Sequence, residues 1–214
     1  MTAETAKFDP HLASPDSSIL VVIDLQERLL PLIHDVESVV ANACKLMRIA
    51  DIFEVPVLLT EQYPQGLGPS APPVRETFDA LQTEKHFFTK DSFSCNLEAT
   101  FLDRLVELDR EMTQKQSRLV VDDGLNPRPI DVIVAGIECH VCVLQTVMGL
   151  LPLGYYVRVC HDCVGSRSAA NKEWALRSML HMGATVASFE SVAFEWARDK
   201  NHPRFRTLNK ILKE

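Results

Sequence analysis

The chain has 214 residues, of which 46% are hydrophobic and 24% charged, and this composition is ordinary for one globular α/β domain. Its formal net charge of −7 argues against nucleic acid or an anionic membrane as a main partner, since both repel an acidic surface. No apolar run is long enough to span a bilayer, and six cysteines without an apolar signal segment before them predict free thiols in the cytosol.

The predicted elements alternate between short apolar runs, typical of buried strands, and segments with apolar residues at helical spacing. In chain order they are strand 19–23, helix 36–53, strand 56–60, loop 63–73, strand 86–90, helix 96–114, strand 131–135, helix 143–153, strand 155–160, helix 168–182, strand 184–189 and a terminal helix or tail at 203–214. This alternation predicts an α/β fold: a doubly wound three-layer sandwich with a mostly parallel central sheet and helices on both faces.

The chain is expected to form one domain over residues 17–214, preceded by a disordered or extended lead-in at residues 1–16. Residues 113–129 are polar and contain a turn signal and prolines, which predicts a surface insertion. The insertion enters a strand at its amino end, so we expect it to lie opposite any site at the carboxyl ends of the strands.

Three reactive side chains follow the predicted strands at their carboxyl ends: Asp24, Lys90 and Cys142. Ligands of parallel sheets bind at that edge, so these groups are expected to meet there. Each group alone has a plainer explanation: a buried apolar cysteine, a capping or ion-paired aspartate, and a solvated loop lysine. Their common placement favours catalysis.

The chemistry of the three groups suits a nucleophilic thiol. A helix start and the charge of Lys90 are expected to lower the pKa of Cys142 and favour its thiolate. Asp24 could accept the thiol proton. The ammonium of Lys90 lowers the pKa of Asp24 while burial raises it, and the sequence does not decide which effect is larger.

Three segments of the chain resemble the isochorismatase-like cysteine hydrolases, a superfamily that includes nicotinamidases and carbamoyl-group hydrolases. They are VVIDLQ at residues 21–26, FTKDSFS at 88–94 and GIECHVCV at 136–143, in the order found in the family. The resemblance extends over residues 17–212. Residues 61–68 and 140–146 look closest to the isochorismatase domain-containing branch of the superfamily. The match is specific for the superfamily and carries little information on the substrate.

The resemblance implies a catalytic triad of Asp24, Lys90 and Cys142, with a cis peptide bond between Ile137 and Glu138. The backbone N–H groups of Glu138 and Cys142 would form an oxyanion hole. The thiolate would attack an amide-like or carbamoyl-like carbonyl of a small molecule and form a thioester. Residues 61–73 lack the Asp-x-His…His metal motif of nicotinamidases, so no catalytic metal and no cofactor are expected. The resemblance also implies a homo-oligomer.

Four further residues are candidates for substrate contacts. Tyr63 and Leu67 lie in the proline-rich segment 63–73, which could cover the site. His140 lies beside the nucleophile, and Ser166 follows a strand end where an anion could bind a helix start. A structural histidine and a simple helix cap are the plainer explanations for the last two.

Two other classes of function remain open. The pairs Cys139/Cys142 and Cys160/Cys163 have CxxC spacing with seventeen residues between them, as in four-cysteine zinc sites or thiol redox proteins. An apolar helix and strand fill the gap, however, where zinc ribbons have a short hairpin. The other alternative is a non-catalytic or regulatory oligomeric scaffold that keeps the fold.

Overall fold

A computed structural model describes residues 12–120 and 129–214 of the chain. Its strands are β1 (Ser18–Ile23), β2 (Val57–Gln62), β3 (Lys85–Lys90), β4 (Asp131–Gly136), β5 (Tyr156–Val164) and β6 (Thr185–Ala187). Its helices are α1 (Val36–Ile52), α2 (Pro64–Leu67), α3 (Pro72–Ala80), α4 (Ala99–Val120), α5 (Leu144–Leu150), α6 (Ala169–His181), α7 (Phe189–Ala197) and α8 (Phe205–Leu212). Within these ranges no helix is both long and apolar enough to cross a membrane.

The strands form one parallel sheet in the order β3-β2-β1-β4-β5-β6. The chain builds the sheet outward from β1 in one direction and then from β4 in the other, as a doubly wound fold requires. The predicted three-layer α/β fold is therefore confirmed. Strands β1, β2 and β4 are buried throughout, which explains the apolar runs at residues 19–23, 57–59 and 132–135 within them.

Helices cover both faces of the sheet and enclose two hydrophobic cores. Side chains of α1, α3, α7 and α8 pack on one face, and Trp196 is among the largest buried residues there. Side chains of α4, α5 and α6 pack on the other face, where Phe101 and Leu105 of α4 are among the largest buried residues. Alternate residues of β1 belong to the two cores, since successive side chains of a strand point to opposite faces.

The order of the strands reverses between β1 and β4, and the backbones approach closely at the carboxyl end of this pair. Gly136, the last residue of β4, has a φ of 119°. A Cβ atom at Gly136 would lie 2.0 Å from the carbonyl oxygen of Ile23. The Ile137 N–H donates to the same oxygen at 2.9 Å. Only glycine fits here, and this contact sets the position of the segments that follow both strands.

Several element boundaries differ from the sequence predictions. Helix α4 runs from Ala99 to Val120, so residues 113–120 continue the helix and are not the start of an insertion. The rest of the predicted insertion, residues 121–128, and most of the lead-in, residues 1–11, lie outside the described residues. Amphipathic periodicity stops near residue 114, but the polar residues beyond it are good helix formers and extend the helix.

The predicted loop 63–73 and the predicted last strand also differ in the structure. Short helix α2 and the start of α3 lie within the loop, where prolines occupy first-turn positions that need no N–H donor. Strand β6 ends at Ala187, because the Ser188 side chain accepts a hydrogen bond from the Ser191 N–H and caps α7.

The contact at Gly136 gives a stability prediction. Replacement of Gly136 by Ala should lower the free energy of unfolding by about 2–5 kcal/mol, since the methyl group meets backbone and the positive φ is strained. Gly154→Ala is the matched control: its φ is 91° but nothing lies within 4 Å, so about 1–2 kcal/mol is expected. Urea unfolding followed by tryptophan fluorescence measures both. Equal losses in the two variants would contradict the proposed close approach.

Candidate functional site

Asp24 is the first residue after β1, and its backbone turns the side chain into the edge of the sheet. Its φ is 52°, and the residue is completely buried. The Thr60 hydroxyl donates to Asp24 Oδ1 at 2.7 Å. The Lys90 ammonium lies 2.6 Å from Asp24 Oδ2, with both side chains shielded from solvent. Thr60 on β2 thus binds Asp24, and Lys90 at the end of β3 forms an ion pair with it.

Lys90, the last residue of β3, is surrounded by four oxygen atoms although an ammonium group has only three N–H donors. Its Nζ donates to Gln62 Oε1 at 2.8 Å and to the backbone oxygens of Ser92 and Phe93 at 3.1 and 3.2 Å. Asp24 Oδ2, at 2.6 Å, is the fourth oxygen atom. The ammonium group is therefore held by three neutral oxygens and by one oxygen of its charged partner.

Cys142 lies in a π-helical turn, Cys139–Val143, that joins β4 to α5. The peptide bond between Ile137 and Glu138 is cis, as the sequence resemblance predicts. The Cys139 N–H donates to Gly165 O at 2.6 Å, and the N–H groups of Val141 and Val143 donate to Glu138 O. This turn carries the backbone N–H groups of Glu138 and Cys142 beside the end of β4. They are the two predicted to form an oxyanion hole.

The three side chains form one electrostatic unit. Burial raises the pKa of Asp24 above its ordinary value, against the opposing effects of Lys90, the Thr60 hydroxyl and the Cys142 thiol. Burial lowers the pKa of Lys90, but the negative charge of its partner Asp24 acts against this effect and the net shift is upward. Burial and the charge of Asp24 raise the pKa of Cys142 to about 12, against the effect of Lys90. Cys142 is therefore a thiol at neutral pH.

The prediction that the surroundings of Cys142 lower the pKa of its thiol is wrong. Cys142 is only 7% exposed, so burial disfavours a free thiolate. Asp24 adds a negative charge next to the sulfur. The positive charge of Lys90 is already balanced by Asp24 in the ion pair. The question that the sequence leaves open for Asp24 is answered, since burial dominates and makes this carboxylate a stronger base.

Gln62 and Thr60, both on β2, join this unit and were not identified from the sequence. Gln62 Oε1 lies 2.8 Å from Lys90 Nζ and 4.0 Å from Cys142 Sγ. Thr60 holds Asp24. The available signal was positional: Gln62 ends β2 and is paired in register with Lys90 at the end of β3. Polar residues at the end of a buried strand deserve the same consideration as charged ones.

The four candidate substrate-binding residues lie at the same edge of the sheet. His140 Nδ1 lies 3.0 Å from the hydroxyl of Ser166, which is buried just beyond β5. The Tyr63 N–H donates to Lys90 O at 2.8 Å, and its side chain is 52% exposed. Leu67 ends α2 and accepts a hydrogen bond from the Arg28 N–H. Their backbones are thus placed beside the site.

The four cysteines of the two CxxC pairs do not meet. Cys139 and Cys142 pack in the core on the α4–α6 face, whereas Cys160 and Cys163 pack in the core on the opposite face. All six cysteines are free thiols. In the described part of the chain, no three His, Cys, Asp or Glu side chains are grouped as ligands for one ion. The geometry therefore does not support a zinc site made from these cysteines.

Known proteins resemble this chain in sequence and in fold. A family model described as the isochorismatase domain matches residues 18–191. Isochorismatase domain-containing protein 2 of Rattus norvegicus is 35% identical over 200 residues, covering 94% of this chain and 83% of the rat protein. The solved structure of the MAR1 ribonuclease from Caenorhabditis elegans is 30% identical with a TM-score of 0.79, covering 95% of this chain and 93% of that one.

A more distant structure shares the fold. The YcaC gene product of Escherichia coli, described as an octameric hydrolase of unknown specificity, has a TM-score of 0.73 at 20% identity. The match covers 95% of this chain and 97% of the bacterial one. At this identity the likeness concerns the fold alone.

Two substitutions at the site should change the alkylation rate of Cys142 in opposite directions. Alkylation of Cys142 by iodoacetamide should rise with pH without reaching a plateau below pH 10, because its pKa is raised to about 12. Asp24→Asn removes the adjacent negative charge and should increase labelling at pH 8 by about tenfold, the effect of one unit of thiol pKa. Lys90→Met should decrease it.

Labelling is measured by mass spectrometry of the peptide that contains Cys142, with Cys142→Ser as the blank. Asp79→Asn, which removes an exposed carboxylate of α3, is the matched control and should label as the wild type does. Slower labelling of Asp24→Asn would show that Asp24 favours the free thiolate and would contradict this electrostatic description.

Proposed function

The chain belongs to the isochorismatase domain family, and from this we propose that it is a cysteine-dependent hydrolase of a small amide-like or carbamoyl-like C–N bond. One observation supports the proposal above all. A buried carboxylate lies 2.6 Å from an ammonium group and interacts with the thiol of Cys142. Asp24, Lys90 and Cys142 would be the catalytic residues.

In the first step Asp24 would act as general base. The thiol proton of Cys142 moves to Asp24 Oδ2 while the sulfur forms a bond to the substrate carbonyl carbon. The carbonyl π electrons move to oxygen, which the N–H groups of Glu138 and Cys142 would stabilise. The raised pKa of Asp24 assists this transfer, since a stronger base accepts the proton more readily. Lys90 keeps its charge and stabilises the anionic site.

The second step would return the proton. As the oxyanion collapses, the C–N bond breaks and Asp24 delivers its proton to the leaving nitrogen, which departs as ammonia or an amine. A thioester remains on Cys142. Water then attacks that carbonyl carbon while Asp24 accepts one of its protons, and collapse of this intermediate breaks the C–S bond. The proton on Asp24 passes to the sulfur, so the acid product is released and the thiol of Cys142 is restored.

The burial of the nucleophile favours a small substrate. Cys142 is 7% exposed and Lys90 is 3% exposed, so a polymer could not reach the sulfur without rearrangement. His140 and Ser166, on the side of β5, and Tyr63 and Leu67, on the side of α2, would contact the substrate. No metal or cofactor is needed for the steps above.

The name ribonuclease belongs to the similar nematode protein. For this chain we propose no nucleic acid partner and no membrane partner, because a net charge of −7 repels both phosphate backbones and anionic lipids. We propose a homo-oligomer, in line with the octameric bacterial structure of the same fold. Six free thiols suit a cytosolic location.

The rival proposal is a scaffold that keeps the family fold without catalysis, and a panel of amides, ureides and carbamates separates the two. Ammonia release from at least one compound should fall by about a thousandfold or more in Cys142→Ser, the scale typical for loss of a nucleophile. Cys44→Ser, which changes a partly exposed thiol outside the site, should leave the rate unchanged. Denaturing mass spectrometry during turnover should show an acyl adduct on Cys142. Release that persists in Cys142→Ser would refute the covalent route.

A further inference from the structure

Gln62 is placed between two members of the triad. Its Oε1 accepts a hydrogen bond from Lys90 Nζ at 2.8 Å and lies 4.0 Å from Cys142 Sγ, at the limit of a thiol hydrogen bond. The residue is 8% exposed.

The orientation of the Gln62 amide is fixed by its partners. Its Nε2 donates to the Asp91 backbone oxygen at 2.8 Å, which can only accept. Its Oε1 faces the Lys90 ammonium, which can only donate. A flipped amide would lose both bonds. The neutral oxygen must therefore face the reactive sulfur and the ammonium group.

A second glutamine holds Gln62 in this position. Gln26, just after β1, accepts a hydrogen bond from the Gln62 N–H at 2.8 Å and donates to Gln62 O at 2.9 Å. It also donates to Gly68 O at 2.7 Å, which ties the segment after α2 to the same side chain. Both glutamines are buried. Such a fully bonded polar pair is rigid and specifies one arrangement of the side chains.

We propose that Gln62 is a positioning residue for the reaction: its oxygen holds the Lys90 ammonium in place and faces the Cys142 sulfur without adding a negative charge. The inference rests on the proposed cysteine hydrolase function. The absence of charge matters because the groups that face the sulfur are Asp24, Lys90 and Cys95, with only one cation among them. A second carboxylate here would neutralise Lys90 and oppose formation of the thiolate.

The test compares Gln62→Glu, which keeps the shape and adds a charge, with Gln62→Met, which keeps the approximate size and removes the acceptor. Gln62→Glu should label with iodoacetamide about tenfold more slowly at pH 8, corresponding to one unit of thiol pKa. The pH dependence of ammonia release should move upward with it. Gln62→Met should lower kcat by about ten- to a hundredfold while KM changes less than about twofold, as for a lost contact made mainly in the transition state.

Gln82→Glu is the matched control, since it adds the same charge at an exposed position before β3, at the opposite edge of the sheet. It should match the wild type in every readout. Urea unfolding of all three variants separates a folding defect from a change at the site. Wild-type labelling at each pH in Gln62→Glu, or lower stability with an unchanged pH profile, would overturn the positioning role.

The two proposals fail in different ways. Labelling requires no substrate, so it tests Gln62 even if no compound of the panel is hydrolysed. Hydrolysis that persists in Cys142→Ser would refute the cysteine mechanism. An unchanged pH profile in Gln62→Glu, with hydrolysis lost in Cys142→Ser, would refute the role of Gln62 and leave the mechanism standing.

Discussion

The buried ion pair between Asp24 and Lys90 is the constraint around which the site is arranged. Two charges withdrawn from water are tolerated only when the remaining hydrogen-bonding groups are satisfied, and removal of one partner typically costs about 3–5 kcal/mol. Here Thr60 bonds the carboxylate, while Gln62 and two backbone oxygens bond the ammonium. The remaining oxygen of Asp24 lies 2.6 Å from the ammonium and completes the pair.

The strand order brings these groups together from distant parts of the chain. Asp24 and Cys142 follow β1 and β4, the two strands between which the direction of winding reverses, and ligands bind beyond such a point. Lys90 comes from the edge strand β3, and its long side chain crosses above β2 to reach Asp24. Gln62 ends β2, between them. The lysine could not be replaced by a shorter cation without loss of the pair.

The sequence was sufficient for the parts of the fold that depend on local pattern. The short apolar runs predicted all six strands of the sheet, and the carboxyl ends of these strands singled out Asp24, Lys90 and Cys142 as candidates. The features it missed depend on tertiary context. Gln62 is a polar residue whose importance comes only from its register with Lys90. The pKa of Cys142 follows from the burial of the finished site, which no local motif encodes.

The raised pKa of Cys142 and the raised pKa of Asp24 are parts of one arrangement. Burial disfavours the charged form of both groups, so the thiol keeps its proton and the carboxylate is a stronger base than an exposed one. A thiolate formed in advance would compete with Asp24 for the single ammonium group. A thiol that loses its proton only as the new bond forms avoids this competition, since the negative charge passes from the carboxylate through sulfur to the substrate oxygen. One negative charge therefore lies beside the positive charge of Lys90 throughout the attack. Gln62 does not change this balance, because its oxygen is neutral.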